Sequence, residues 1–323
     1  LMMRLYELTD NFGWAIILFA IVVALVLLPF MAKSKKSMMR MTRLQPRMME
    51  LQKKHEGNPQ KLNEEMARLY RENKVSPMGG CLWSLLPLFI MIALYRAVVK
   101  PLTIMMGIPD DMLQQGGAIY EQLQNLGYSL SNYTSSANSF YEQIYQAKFI
   151  TENWDAFRGI SDNLVQMNFN FVGLDLSVTP DWHFWSFDLS AGAWPVIGLF
   201  IMPLISTGLN YLSMFISRKL QPSVGTTQQQ QASASSMKTM MIIMPLMSLW
   251  IGYVMPAALC VYWIMNSLTG IIREVGLTLL YRKQMAKEDE EFYTKERARE
   301  EELERKRQET ERLRAMNATT VNK

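Results

Sequence analysis

Five apolar stretches separated by blocks of charge set the pattern of this chain. Residues 12–31 run without a charge, and residues 81–100, 193–216, 240–255 and 257–280 are similarly apolar, the last interrupted near its end by Arg273 and Glu274. A helix needs about 20 predominantly apolar residues to cross a hydrocarbon core of roughly 30 Å, so each stretch is predicted to span a membrane. The fourth, at 16 residues, reaches only about 24 Å and suits a locally thin bilayer. The expected fold class is all-α: a polytopic membrane protein of five transmembrane helices.

Average composition conceals this clustering, since 49% hydrophobic and 19% charged residues with a net charge of +4 would suit a soluble protein. The distribution of charge sets the orientation. Residues 32–80 hold 12 basic and 5 acidic side chains, residues 217–239 hold 3 basic and no acidic ones, and the tail 281–323 holds 12 and 11. Residues 101–192 hold only Lys148 and Arg158 against 10 acids. Basic connections stay on the cytoplasmic side, so the N-terminus is predicted outside and the C-terminus inside. Residues 1–11 are then an N-terminal interfacial segment, and the chain is a multi-pass protein of the plasma membrane. No cleaved signal peptide is visible, and a start at Leu1 leaves room for an upstream segment.

Catalytic chemistry has no foothold. The chain has no GxxxxGK[ST] phosphate loop, GxGxxG turn or GxSxG elbow. Cys81 and Cys260 fall at opposite ends of their predicted spans, too far apart to bridge, and His55 and His183 are too few for a metal cluster. No catalytic residue, metal or cofactor is expected.

The connections carry other signals. In 32–80 the spacing predicts a helical hairpin broken at Glu56-Gly57-Asn58-Pro59, with Leu44, Met48 and Leu51 on one arm and Leu62, Met66 and Leu69 on the other. These seams would pack on each other, while Met38, Met41, Met48, Met49 and Met66 offer a soft surface able to receive varied apolar partners. Both readings hold at this point. The outer connection 101–192 is expected to form a small helical cap, including an amphipathic helix over Phe140–Val165. Residues 221–236 read as a flexible linker, and the tail as a solvated single helix.

Polar residues recur in phase within the spans. Ser206, Asn210, Ser213 and Ser217 follow at intervals of 4, 3 and 4 on the third, and Trp263, Asn266, Gly270 and Arg273 at 3, 4 and 3 on the fifth, with Thr269 beside them. Pro245, Ser248 and Gly252 make a weaker stripe on the fourth, and Ser84 with Tyr95 and Arg96 marks the second. Such stripes either line a wet groove or hydrogen-bond helix to helix.

Several motifs resemble the YidC membrane protein insertases. They are Leu27-Leu28-Pro29, Leu44-Gln45-Pro46, Val75-Ser76-Pro77-Met78-Gly79-Gly80-Cys81-Leu82 with Ile92-Ala93-Leu94-Tyr95, Phe171-Val172-Gly173-Leu174-Asp175-Leu176, and Pro256-Ala257-Ala258 with Val261 to Ser267. They occur in the family's order across nearly the whole core. The resemblance implies a bacterial, ATP-independent insertase and chaperone that takes hydrophobic segments of nascent membrane proteins into a groove open to cytoplasm and lipid. Implied partners are those nascent chains and the bilayer, with the ribosome and the Sec translocon as further candidates, and no small-molecule substrate. The chain departs from the family where a groove Arg or Lys usually stands, four residues before the Leu-Leu-Pro end, since that place holds Ala24. A common groove glutamine is Pro87, and the tail lacks a strong basic excess. A transporter or a structural assembly partner remains the alternative function.

The orientation is checked with a membrane-impermeant thiol reagent on intact cells. A cysteine at position 135 should be labelled and one at position 233 should not. Labelling of both, or of position 233 alone, contradicts the five-span topology.

Overall fold

The structure is a computed structural model that describes residues 1–73, 75, 86–133, 139–187, 190, 192–220, 243 and 245–321. Ser84, Cys81, Ser135, Ser233 and the linker expected at 221–236 lie outside the described residues, as does most of the motif at 75–82.

Among the described residues the molecule is all-α apart from one minimal hairpin. Helix α1 (Met2–Thr9) leads into α2 (Phe12–Arg43), then α3 (Gln45–Lys54), α4 (Pro59–Glu72) and α5 (Leu86–Val99). A cap follows, with α6 (Asp110–Leu113), α7 (Ala118–Asn125), α8 (Glu142–Glu152) and α9 (Trp154–Phe157), and then the strands β1 (Asn170–Phe171) and β2 (Leu174–Asp175). Helix α10 (Ala193–Leu220), α11 (Pro245–Val254) and α12 (Ala257–Val321) complete the chain. Among the described residues, α2 and α10 are the helices long and apolar enough to cross a membrane, while α11 is a shorter apolar helix.

Helix α2 starts at the expected Phe12, where the Asn11 side chain accepts from the Gly13 and Trp14 amides at 3.1 and 3.2 Å. It does not stop where its apolar stretch ends. No glycine lies between Met31 and Leu44 and Pro29 is absorbed within the helix, so α2 carries the first basic turns of the hairpin region as one rigid piece. The hairpin break falls where the spacing placed it: α4 opens on Asn58, whose side chain accepts from the Lys61 amide, with Pro59 in the first turn. The helix expected over Phe140–Val165 is shorter. It breaks at Asn153, whose side chain bonds back to the Phe149 carbonyl, and ends at Phe157. The tail is helical as expected, but no break separates it from the fifth apolar stretch, and α12 runs for 65 residues.

One segment, residues 168–178, ties the helix starts together. The Asn168 carbonyl accepts from the Phe12 amide at 2.9 Å, and the Asn170 carbonyl from the Asn11 side chain at 2.7 Å. The Val178 and Leu176 carbonyls accept from the Ala257 and Ala258 amides at 2.9 and 3.1 Å. Tyr6 joins α1 to the same segment: its hydroxyl donates to the Gln166 carbonyl at 2.9 Å and accepts from the Asn168 amide at 2.7 Å. Helix N-termini expose unsatisfied amides, and here neighbouring carbonyls take them up.

Packing is dense at this end. Residues 257–262 are each 4% exposed or less, and Phe12, Ala15, Ile16, Phe19 and Ala20 of α2 are buried beside Leu94 and Val98 of α5 and the cap residues Ile144, Ile150 and Phe157. Gly13 makes room for Phe171, since a Cβ there would stand 2.3 Å from the Phe171 ring. Towards the hairpin end Leu25, Val26, Tyr211, Leu212 and Phe215 face outward, while Leu27, Ser34 and Lys35 of α2 and Leu277 and Met285 of α12 stay buried.

The β1–β2 turn holds Val172 at φ 54° and Gly173 at φ 77°. Glycine tolerates this hand, whereas a β-branched residue is strained there by about 1–3 kcal/mol. Val172 is exposed and contributes its carbonyl to the Trp194 indole at 2.8 Å, a bond that any residue could provide. Val172→Asn is expected to raise the thermal midpoint in detergent. Tyr6→Phe should lower it, by the roughly 1–3 kcal/mol of leaving the Asn168 amide unpaired. A fall on the first change, or none on the second, counts against the 168–178 segment as the fastening.

Candidate client groove and the hairpin clamp

Helices α10 and α12 pack along much of their length, and the polar stripes divide at that contact. Ser206 is 2% exposed, inside the packing. One helix over, Gly252 of α11 lets Pro203 of α10 approach, because a Cβ on Gly252 would lie 2.9 Å from the Pro203 Cβ. Thr269 bonds back to the Met265 carbonyl at 2.8 Å and is satisfied within α12. Ser213, Gly270 and Arg273 come together: a Cβ on Gly270 would stand 3.7 Å from Ser213 Oγ and 3.8 Å from Arg273 Nη2. Asn210 and Asn266 face out of the packing, and neither side chain hydrogen-bonds a described residue. Trp263 and Ser217 are half-buried on this stripe. Ser248 on α11, Pro87 on α5 and Ala24 on α2 are half-buried on other helices. Among the described residues there is no group of His, Cys, Asp and Glu that could hold a metal ion.

In the hairpin, Leu44 and Leu69 are buried between the arms, and the Tyr70 hydroxyl donates to the Met48 sulfur at 3.8 Å. Met41, Met49 and Met66 are half-buried, whereas Met38, still on α2, is exposed. Of the residues expected to form the seam, Leu44 and Leu69 are buried and Met48 meets Tyr70 of the other arm, while Leu51, Leu62 and Met66 are half-buried.

Sequence reasoning missed how firmly α12 grips this hairpin. Lys35, 6% exposed, pairs with Glu274, 18% exposed. Further along, Arg40 holds Glu288 through two nitrogens at 3.0 and 3.1 Å, and Lys36 approaches it at 3.7 Å. Arg43 meets Glu288 and Asp289 as charge contacts rather than aligned hydrogen bonds, with its guanidinium 5.6 Å from the Phe292 ring centre. Arg47 pairs with Glu296 at 2.5 Å. A cleft of about 400 Å³ lies beside this ladder, between Arg40, Asn73, Val75 and Lys295. The mixed charge of the tail was read as a solvated face, but its acids at 288, 289 and 296 meet the bases at 40, 43 and 47 in the same order along the chain. The ordered sign difference between the two segments was the available signal.

Apolar helices fastened at a capped end, with a charged hairpin at the other, define an all-α membrane protein. The chain belongs to the 60Kd inner membrane protein family, whose profile matches residues 4–287. It is similar to the membrane protein insertase YidC of Ralstonia nicotianae, 42% identical over 100 residues, which are 31% of this chain and 18% of that protein. The YidC insertase of Syntrophobacter fumaroxidans is 28% identical over 269 residues, 83% of this chain and 35% of the relative. That of Polynucleobacter asymbioticus is 24% identical over 287 residues, 89% and 36%. The chain thus spans about a third or less of the length of these curated relatives.

The hydrogen bonds from Arg40 hold the Glu288 carboxyl below its ordinary range, aided by the charges of Lys36 and Arg43 against the opposing effect of burial. A depressed carboxylate stabilises above its unfolded value, about 4.3, and the stabilisation is lost as pH falls through the lower folded value. Spin labels at positions 50 and 297 should therefore report a narrow distance distribution at neutral pH that broadens only in acid. Glu288→Gln should broaden it at neutral pH, and high salt should do so in part. An unchanged distribution in the variant means that the ladder does not hold the hairpin.

Proposed function

We propose that this chain is an ATP-independent membrane protein insertase and chaperone. In this reading it crosses the bacterial plasma membrane five times, at 12–31, 81–100, 193–216, 240–255 and 257–280, with the N-terminus outside and the C-terminus inside. The observation that carries the reading is the asymmetry of packing. The cap end is closed by residues 168–178, whereas towards the hairpin end the side chains of Asn210 and Asn266 are exposed and hydrogen-bond no described residue. A groove polar only in its cytoplasmic half shortens the apolar path that the hydrophilic flank of a client must cross. Each charged residue spared the bilayer centre saves roughly 2.5–3.5 kcal/mol on insertion scales. Burial of the client's apolar segment in lipid then drives release, and no bond is made or broken.

The residues assigned to the groove are Ala24, Ser84, Pro87, Ser206, Asn210, Ser213, Ser248, Trp263, Asn266, Thr269 and Gly270. Ser206 and Thr269 serve as helix contacts at its wall. The hairpin methionines Met38, Met41, Met48, Met49 and Met66 make first contact with the client. Clients are nascent membrane proteins, delivered from the ribosome or alongside the Sec translocon, and small molecules are not substrates.

Reconstitution into liposomes with a single-span substrate tests this, because only an insertase protects that substrate from protease with no other protein present. A transporter or an assembly partner leaves it digested. Replacing Asn210 and Asn266 together with Leu should impair insertion of charged-flank substrates while the fold stays intact, whereas Ala24→Arg should improve acidic-flank ones. If the asparagines instead bridge helices, the double change loosens the bundle, by about 0.6 kcal/mol per lost interaction. Photocrosslinkers at positions 41 and 49 should trap apolar segments better than one at position 53. Equal trapping leaves the methionines a packing role only.

A further inference from the structure

Residues 181–187 read Asp-Trp-His-Phe-Trp-Ser-Phe, four large aromatic side chains in seven positions, and the groove makes no use of them. Trp182, Phe184 and Trp185 are each more than half exposed. Trp185 stands 5.4 Å from the Trp182 ring and 5.1 Å from that of Phe184 between centroids, so the three form one patch rather than scattered side chains. An exposed apolar patch marks a surface that something covers.

What covers it follows from its depth. Trp14, the third residue of α2, lies against the Phe171 ring at 5.5 Å, and Trp194, the second of α10, donates to the Val172 carbonyl at 2.8 Å. Two exposed indoles on two membrane-length helices thus meet one hairpin turn. Indoles collect at the membrane–water boundary, so this turn marks that level on the capped side. The patch reaches below it. Phe184 and Phe187 pack on Phe200 at 6.3 and 5.5 Å, and Phe200 is six residues beyond Trp194, about 9 Å further along α10. The Tyr253 hydroxyl of α11 donates to the Phe200 carbonyl at 2.8 Å, which holds that level between two apolar helices. Upstream, Val178 is fastened to the start of α12. The loop is therefore strung from the capped end down the flank of α10, where exposed Trp194 and Ile197 continue its apolar surface. Its polar edge is Asp181 with His183: the carboxylate accepts from the His183 amide at 3.0 Å and lies 2.6 Å from Nδ1, and the imidazole is 4.0 Å from the Trp182 ring.

We infer that residues 181–187 are a lipid anchor, a loop inserted into the leaflet on the capped side with Phe184 among the acyl chains and the Trp182 and Trp185 indoles at the headgroup boundary. A ring with a polar handle suits that boundary, and a shallow apolar insertion of about 5–10 Å matches the depth of Phe200. Lipid is favoured over a protein partner because the patch is continuous with the outward face of a helix long and apolar enough to cross a membrane. The anchor fixes the cap against the bilayer at a second point beside the 168–178 segment. The inference needs only α10 to cross the bilayer, and stands apart from what the groove does.

The test uses the full chain in phosphatidylcholine vesicles with no other protein. Cys81→Ala lets one introduced cysteine at a time take a nitroxide label, since Cys260 is buried. Collision with oxygen, which concentrates in lipid, is compared with collision with a water-soluble nickel chelate. Labels at positions 184 and 185 should show an oxygen-to-nickel ratio several-fold above that of a label at the exposed position 121 of the cap, with position 184 the deeper. Equal ratios at all three positions put the loop in water and overturn the anchor. Low collision with both reagents means that a second copy of the chain covers the patch, and overturns it too. F184S/W185S should bring a label at position 182 out to the nickel reagent, whereas F184L/W185Y should leave it in lipid. A label at 182 that stays in lipid in F184S/W185S shows that the aromatic side chains do not hold the loop, and this also overturns the inference.

Discussion

Backbone amides at the start of a helix must find acceptors, and in lipid there is no water to supply them. In this protein that requirement is met for two long helices by one short hairpin segment. Residues 168–178 give carbonyls to the Phe12, Ala257 and Ala258 amides, and the Asn170 carbonyl accepts from the Asn11 side chain as well. Because α2 and α12 begin on the same short segment, their relative position is fixed there. Everything further along is free to diverge. The burial of residues 257–262 and of Phe12 to Ala20 follows from that fastening, and so does the looser packing at the hairpin end.

A bundle held firmly at one end can afford polar groups without partners at the other. Ser206, close to the fastened end, is enclosed, whereas Asn210, one turn further along α10, already faces outward. On α12 Cys260 is enclosed and Asn266 exposed, while Ser267, Leu277 and Met285 further along keep one face of the helix buried. The ion pairs of Lys35, Arg40 and Arg47 with α12 then act as a second, softer fastening. Between the two lies the stretch in which Asn210 and Asn266 are exposed.

What the sequence made legible was local. Asn11, Asn58 and Pro59 are helix-start residues, and the helices begin beside them. The stripes of Asn210 and Ser213 on α10 and of Gly270 and Arg273 on α12 each followed from intervals of 3 and 4, which put residues on one face whatever that face meets. What stayed hidden depended on partners distant in the chain. The exposure of Asn210 as against Ser206 reflects how far α10 leans from α12, which no interval encodes. Lys35 and Glu274 are separated by most of the chain, and nothing near either marks it as buried. The continuation of α2 to Arg43 was obscured because a change from apolar to basic side chains marks a change of surroundings, not the end of a helix.

The length of α12 has a mechanical consequence. From Glu296, the last described residue tied to the hairpin, to Val321 the chain rises about 38 Å as one uninterrupted rod. A tilt of about 5° around that contact would sweep its far end through about 3 Å. Read in the other direction, a push at the far end works first against the Arg47–Glu296 pair, and the pairs of Arg40 and Lys35 behind it take up what remains. The ladder thus stands between the exposed tail and the turn that carries Gly270 and Arg273.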